Sequence, residues 1–255
     1  MPRKLFVAPL LAAVCMIALN AQNSNAPAKR ISVSVDAAKT APPISPYIYG
    51  QFIEHIGDLI NRSLWAEMLD DRKFYNDVNS KAPAAGGRRG GGGRGGRPAA
   101  QWRPIGPDDA VVMDRKNPYV GVHTPLIQLA GSDARGIQQG GIALRKGKAY
   151  TGRVVLAGSP GSKVTLSLVW GDGPGGKQSV AIPAVGAAYA KFPLKFTAGA
   201  DNNDARLEIS GTGQGSFHIG AVSLMPADNI HGFRPDVIAL LKAHNIPYTE
   251  EDLWD

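Results

Sequence analysis

Two places in the sequence, a glutamate beside a histidine and a run of three acidic residues, have residue types that acid–base chemistry uses. Glu54 stands directly before His55, at the end of residues 47–54. The apolar residues of that stretch fall on both faces, as in a strand buried in a parallel sheet or barrel. From this spacing alone we interpret Glu54 as a salt-bridging residue at a strand end. Residues 250–252, all acidic, lie in a polar tail, and we interpret them as a solvated charge run.

The first 26 residues have the pattern of a signal peptide. A basic start, Pro2-Arg3-Lys4, precedes an apolar run over residues 5–19, and small residues follow with expected cleavage after Ala21 or Ala26. The apolar run is too short to span a membrane comfortably. We therefore expect a secreted or periplasmic location, with no membrane attachment after signal cleavage.

Neither cysteine chemistry nor a metal site is indicated. The one cysteine, Cys15, lies inside the signal peptide, so the mature chain needs no disulfide and offers no thiolate. The five histidines are scattered without the spacing of metal ligands. Residues 201–204, Asp-Asn-Asn-Asp, are more simply a turn than a calcium loop. We expect no metal and no cofactor.

The formal net charge of +7 is concentrated in two segments. Arg3 and Lys4 belong to the signal peptide, and four arginines lie among eight glycines in residues 86–97. The rest of the chain is nearly neutral, so a basic face for nucleic acid is not indicated. An Arg-Gly tract can bind nucleic acid through charge and stacking, but this one has no interleaved aromatic residues. We interpret residues 81–100 as a Gly/Arg/Pro-rich flexible linker and expect no nucleic-acid partner.

Residues 101–226 are predicted to form an all-β domain. Apolar residues alternate in short runs that clusters of Gly, Pro, Asp and Asn separate. Five or more short strands at this spacing indicate a sandwich or jelly roll. The runs are residues 150–156, 164–170, 192–196 and 217–219.

Shorter elements flank this domain. Residues 31–35 alternate like a strand, and residues 64–69 have the pattern of a short helix. Pro235 fits the first turn of a second helix, which Asn245 and Pro247 end. The apolar stripe of that helix is Val237, Leu240, Leu241 and His244.

Two of these flanking segments resemble one enzyme family. Residues 44–57, Ile-Ser-Pro-Tyr-Ile-Tyr-Gly-Gln-Phe-Ile-Glu-His-Ile-Gly, with residues 64–69, resemble the opening of the glycoside hydrolase family 51 α-L-arabinofuranosidases. Residues 222–242 resemble the same family where the chain returns from an inserted domain into the first barrel helix. The stretch between, including residues 140–153, resembles that inserted carbohydrate-binding module, of the CenC type.

The resemblance implies a mainly β chain in which a jelly-roll β-sandwich is inserted into an incomplete TIM (β/α)8 barrel. Residues 31–80 would start the catalytic barrel, residues 101–226 would form the module, and residues 227–255 would return to the barrel. A complete barrel takes about 250 residues. We therefore expect the first strand and first helix only, in an N-terminal fragment produced by truncation or a shifted reading frame.

The resemblance also implies roles for Glu54 and His55. Glu54 matches the glutamate of the family's Phe-x-Glu-His motif, which hydrogen-bonds the arabinofuranosyl unit and is not catalytic. His55 is expected either to orient Glu54 or the loop, or to be packed. A retaining glycosidase needs two carboxyl groups about 5 Å apart. The family's acid/base follows an Asn, and no Asn-Glu pair occurs in this sequence. We expect neither catalytic glutamate here, and a chain that is inactive alone.

Two functions are consistent with this resemblance. The first is a fragment of an α-L-arabinofuranosidase that acts at the non-reducing ends of arabinan or arabinoxylan. The second is a stand-alone secreted carbohydrate-binding module. In both, the partner is a polysaccharide or oligosaccharide. Four aromatic residues are candidates for stacking on sugar rings, although an aromatic residue in a β domain more often belongs to the core. They are Trp102, Trp170, Tyr150 and Tyr189.

Overall fold

The computed structural model describes residues 31–43, 63–81 and 100–244 of a chain that divides into two units, residues 1–48 and 49–255. In the first unit, Ile31, Val33 and Val35 are exposed and residues 31–36 have no regular secondary structure. The predicted strand at residues 31–35 is therefore wrong. Alternation does not hold a strand without a neighbour to share its backbone hydrogen bonds, and the bond described here, from Lys39 N to Asp36 O, closes a turn.

In the described part of the second unit, ten strands pair into two five-stranded antiparallel sheets. The first sheet has the order β1-β4-β9-β6-β7, and the second has the order β2-β3-β10-β5-β8. Two such sheets packed face to face form a jelly-roll-like sandwich. The strands are β1 (Arg103–Ile105), β2 (Val111–Asp114), β3 (Thr124–Gln128), β4 (Gly131–Leu144), β5 (Ala149–Gly158), β6 (Ser162–Val169), β7 (Lys177–Ala181), β8 (Ala190–Thr197), β9 (Asn202–Gly213) and β10 (Ser216–Pro226).

Alternating apolar residues place the core between the two sheets. Successive side chains of a strand point to opposite faces, so every second residue of a run is buried together. The predicted runs at residues 150–156, 164–170, 192–196 and 217–219 are confirmed, because each contributes side chains to this core.

Strand β10 keeps its apolar residues in the core by means of a β-bulge. The register shifts between Ile219 and Ala221, and Gly220 is the extra residue. The shift lets Phe217 and Ile219 before it, and Leu224 after it, all face the core, where each is fully buried.

A segment before the sandwich completes the edge of β10. Along β10, only residues 216–218 pair with strand β3. Beyond them, Met68 N donates a hydrogen bond to Leu224 O (2.9 Å). The predicted helix at residues 64–69 is wrong, because residues 66–69 are not helical and their backbone pairs with other segments.

The same segment contributes to the core. Val222 N donates a hydrogen bond to Arg72 O (3.1 Å), so this segment stays against β10 as far as Arg72. Leu69, Phe74 and Val78 are buried in the sandwich core. Residues 63–81 therefore pack as part of the sandwich.

The chain enters and leaves the sandwich along two paired segments. Ala66 N donates to Gly232 O (2.8 Å), and Arg234 N donates to Leu64 O (2.9 Å). Between these bonds, the rings of Trp65 and Phe233 pack edge to face, with their centroids 5.6 Å apart. This short ladder brings the residues before and after the sandwich side by side.

Helix α1 (Pro235–Ala243) follows this ladder and begins at the predicted proline. Its predicted apolar stripe is wrong in part, because Ile238 is the buried residue and Leu240 is 58% exposed. The helix is buried at this one position, so its packing on the described chain is slight. No helix in the described ranges is long and apolar enough to cross a membrane.

Several predicted segments lie outside the described residues. They are the signal peptide, the strand at residues 47–54, most of the linker and the acidic tail. The assignment of residues 31–80 and 227–255 to a TIM barrel stays a prediction.

Candidate functional site

Three of the four predicted stacking residues lie in the core. Trp102, Tyr150 and Trp170 are 3%, 2% and 9% exposed. The indole nitrogens and the hydroxyl of these residues are each paired with a backbone group at 2.9–3.1 Å. The core interpretation therefore applies to them, because a ring without an exposed face cannot stack on a ligand. Glu54 and His55 lie outside the described residues.

Tyr189 is the predicted stacking residue that keeps an accessible surface. It lies immediately before β8, and its hydroxyl donates a hydrogen bond to Asn117 O (2.8 Å). Burial raises the pKa of the Tyr189 hydroxyl above its usual value, and the charge of Asp114 acts in the same direction. The phenol is therefore a neutral donor across the physiological range.

Tyr119 forms an aromatic pair with Tyr189. The ring centroids are 5.1 Å apart and the ring planes are inclined at 53°. Tyr119 is 43% exposed, and its loop neighbours Val120 and Val122 are exposed as well. A tilted pair with one exposed ring offers an apolar face to a flat ligand and hydroxyl groups for hydrogen bonds.

His218 and Asp114 form the polar side of this site. Phe217 and Ile219 face the core, so His218 between them lies on the outer face of the second sheet, with its ring 6.0 Å from that of Tyr189. His218 Nε2 and Asp114 Oδ2 are 2.8 Å apart. The pKa of the Asp114 carboxyl group is lowered, chiefly because the backbone N–H of Lys116 donates a hydrogen bond to it. The hydrogen bond with the His218 side chain acts in the same direction. We name Tyr119, Tyr189, His218 and Asp114 the tyrosine cluster.

The position of Tyr119 depends on the bulge in β10. A Cβ atom added at Gly220 would lie 2.6 Å from Tyr119 Cγ. The tyrosine side chain therefore rests directly on the strand backbone, at a contact that only glycine permits. The irregular residue of the strand and the exposed ring are parts of one arrangement.

A cleft of about 560 Å³ opens on the same outer face, toward the other end of β5 and β10. This is the volume of a small-ligand site. We define the basic cleft by six of the residues that line it: Trp65, Arg72, Lys73, Arg153, Ser223 and Asn229. Arg153 and Ser223 are register partners across β5 and β10. Ala157 is the partner of His218 in the same pairing, so the two sites are about 13 Å apart along β5.

One buried carboxylate, Glu67, organises the wall of the basic cleft. Its side chain is 5% exposed and pairs with Arg72 Nη1 at 3.1 Å. It also accepts hydrogen bonds from Ser223 Oγ (2.7 Å) and from the backbone N–H of Leu224 (2.9 Å). These bonds join the segment before the sandwich to β10 and hold Arg72 in place.

In the described ranges 31–43, 63–81 and 100–244, no group of three His, Cys, Asp or Glu side chains is placed to hold an ion. The two acids of residues 201–204 accept hydrogen bonds from the backbone. Asp201 accepts from Lys146 N (2.8 Å), and Asp204 accepts from Gly141 N (3.1 Å). Their carboxylates tie the start of β9 to the end of β4 and the turn that follows it.

Sequence reasoning misses most of the residues of both sites. Tyr119 lies in the loop between β2 and β3, where neither strand nor helix periodicity applies. Its available signal is the apolar run of residues 119–122 within a loop. Arg153 stands at a polar position of a predicted strand, and nothing in the sequence indicates that residues 65–73 lie beside it.

The chain is similar in sequence to α-L-arabinofuranosidases. Alpha-L-arabinofuranosidase 1 of Arabidopsis thaliana is 26% identical over 243 residues, which cover 88% of this chain and 33% of that enzyme. The extracellular exo-alpha-L-arabinofuranosidase of Streptomyces chartreusis is 25% identical over 222 residues, which cover 83% of this chain and 24% of that enzyme. The chain thus spans a third or less of the length of these relatives. No protein-family model matches it.

Solved structures with a similar fold include two carbohydrate-binding domains. TmCBM61, in complex with β-1,4-galactotriose, is 20% identical with a TM-score of 0.39, and the match covers 49% of this chain and 88% of that one. The CBM22-1 xylan-binding domain of Paenibacillus barcinonensis Xyn10C is 12% identical with a TM-score of 0.39, covering 51% and 87%. Both likenesses concern the fold alone.

Proposed function

We propose that this chain binds arabinose-containing plant polysaccharides, of the arabinan or arabinoxylan type, through the outer face of its second sheet. The observation that carries the proposal is the tyrosine cluster. There, a 43% exposed tyrosine ring stands beside a second tyrosine, a histidine and a carboxylate. Sugars present apolar ring faces and many hydroxyl groups, and this set of side chains offers a partner to each.

The similarity to arabinofuranosidases supports the class of glycan. The match covers 88% of the chain, whereas β1 to β10 span less than half of it, so the matched residues extend beyond the sandwich. A shared sandwich fold alone does not produce similarity in the flanking segments. We therefore propose that the chain has the architecture of a non-reducing-end α-L-arabinofuranosidase, of which it is a fragment.

The paired entry and exit segments support the proposed insertion of the sandwich into a barrel. A domain inserted into another one must begin and end at neighbouring points. Residues 64–66 and 232–234 meet this condition, because they are hydrogen-bonded to each other. In this arrangement Glu54 and His55 would contact the arabinofuranosyl unit. We assign no bond cleavage to this chain alone, because it has no Asn-Glu pair to supply the acid/base.

Affinity electrophoresis in gels that contain arabinan or arabinoxylan tests glycan binding. We expect retardation of the wild-type chain, and Tyr119→Ala and Tyr189→Ala should each weaken binding about tenfold because each removes an aromatic face. Tyr75→Ala is the matched control, since it removes a tyrosine that is 79% exposed outside the cluster, and it should bind as the wild type does. Migration of the wild-type chain at the same rate in every gel would rule out the proposal.

A stand-alone secreted carbohydrate-binding module is the second candidate, and the continuous core of the sandwich favours it. The N-terminal pattern and the extracellular relative support a secreted or periplasmic location for either candidate. Under both, incubation of the chain with an aryl α-L-arabinofuranoside should give no turnover. Turnover would show that the chain holds a catalytic pair.

A further inference from the structure

The basic cleft has an electrostatic character that neutral sugars do not require. Arg72, Lys73 and Arg153 line it, and none of the lining residues that the structure describes is Asp or Glu. Glu67 compensates Arg72, but its carboxylate is 5% exposed and its acceptor sites are taken by donors of the protein. Within the described ranges, the cleft therefore presents cationic groups without an exposed carboxylate.

Two of these cations have no acidic partner among the described residues. In the described ranges of the chain, Lys73 and Arg153 form no ion pair, and both side chains are exposed. Arginine binds a carboxylate through two parallel N–H groups, and lysine adds a point charge. Together they suit a single anionic group bound in the cleft.

The rest of the cleft suits a sugar ring. The Trp65 indole forms one wall of the cleft. It is held by packing on the Phe233 ring, because its Nε1 has no hydrogen-bond partner in the described part of the chain. Thr151 adds a hydroxyl group to the lining. An aromatic wall beside polar groups is the combination that a pyranose or furanose ring needs.

We infer that the basic cleft binds the carboxylate of a uronic acid carried by the polysaccharide that the tyrosine cluster binds. This inference rests on the proposed function, because it assigns a second subsite to the same glycan. The sites are about 13 Å apart on one face of one sheet, so one chain of linked sugars can reach both. The protein would thus select acidic branches over neutral ones.

Isothermal titration of the full chain with a glucuronic-acid-substituted arabinoxylan oligosaccharide, and with the same oligosaccharide after carboxyl reduction, tests this inference. The acidic form should bind about tenfold more tightly at low salt, and added salt should reduce the difference. Arg153→Met and Lys73→Met should each remove most of this preference. Lys163→Met, which removes an exposed lysine from the first sheet, should keep it. Thermal unfolding of each variant checks that the fold is intact.

The outcomes separate this inference from the proposed function. Tyr119→Ala should weaken the binding of both oligosaccharides equally and leave the preference unchanged. Equal binding of both forms to the wild type would overturn the uronate subsite and leave the glycan proposal standing. Binding of neither form would overturn both. Inorganic phosphate or duplex DNA that competes as well as glucuronate does would also overturn the inference, because the cleft would then be a general anion site.

Discussion

Replacing Glu67 with alanine is expected to lower the free energy of unfolding by about 3 kcal/mol. The carboxylate is 5% exposed and accepts from Ser223 Oγ, the backbone N–H of Leu224 and Arg72 Nη1, at 2.7, 2.9 and 3.1 Å. Removing it leaves these donors facing a cavity. Arg72 is 31% exposed and keeps part of its hydration, so the loss should lie at the lower end of the range for a broken buried pair.

Urea denaturation of Glu67→Ala beside Glu208→Ala measures this effect. Glu208 also pairs with an arginine, Arg206, but the arginine side chain is 45% exposed and the glutamate 20% exposed. Exposed pairs of this kind contribute about 0–1 kcal/mol. Equal losses in the two variants would contradict the structural role given to Glu67. Glu67→Gln should lose less than Glu67→Ala, because the amide oxygen still accepts hydrogen bonds.

Gly136→Ala is expected to destabilise the sandwich by about 3 kcal/mol or to prevent its folding. A Cβ atom at this position would lie 1.9 Å from the carbonyl oxygen of Ile209 and 2.7 Å from Ser210 Cα. Both atoms belong to the backbone of β9, which pairs with β4 on one side and with β6 on the other. Neither can move aside without breaking the ladder in the middle of the first sheet.

Gly186→Ala is the matched control, because a Cβ atom there has no atom within 4 Å. Its free energy of unfolding should stay within about 0.5 kcal/mol of the wild type. Thermal or urea unfolding of both variants measures the comparison. A Gly136→Ala protein as stable as Gly186→Ala would show that β4 and β9 do not pair in the register described.

The sandwich can be predicted from sequence because its core has a period of two. In β5 and β6 every second residue must be apolar to reach the core, and the runs at residues 150–156 and 164–170 show this period directly. The same reasoning does not decide whether the side chains of Trp102, Tyr150 and Trp170 face the core or a ligand. An aromatic side chain on a strand looks alike in sequence whether it faces the core or a ligand.

The failed predictions share a cause, which is that a local sequence pattern does not show which tertiary contacts a segment makes. Residues 64–69 have a helical pattern, but β10 and the turn at residues 230–233 offer them backbone hydrogen bonds from about 160 residues away. Residues 31–35 alternate correctly, yet in the described chain they have no neighbouring strand. In α1, Ile238 and not Leu240 is buried, because the angle at which a helix docks is set by tertiary packing.

The tyrosine cluster and the basic cleft could not be predicted for a related reason. Both are assembled where an irregular segment meets the outer face or the edge of a regular sheet. Tyr119 lies against this face at Gly220, the bulge residue of β10, and Arg153 lines a cleft with Trp65, Arg72 and Lys73, whose segment runs beside the edge of β10. Bulges and irregular edge segments leave no periodic signal, although they decide where a ligand can bind.

A titration of the isotopically labelled full chain with a neutral arabinoxylan oligosaccharide, followed by backbone amide NMR, tests glycan binding at the outer face of the second sheet most directly. We expect the largest and saturable shift changes at Tyr119, Ala157, Tyr189 and His218, with the central strands β9 and β6 of the first sheet unaffected. Shift changes confined to the first sheet, or none at a large excess of oligosaccharide, would contradict it.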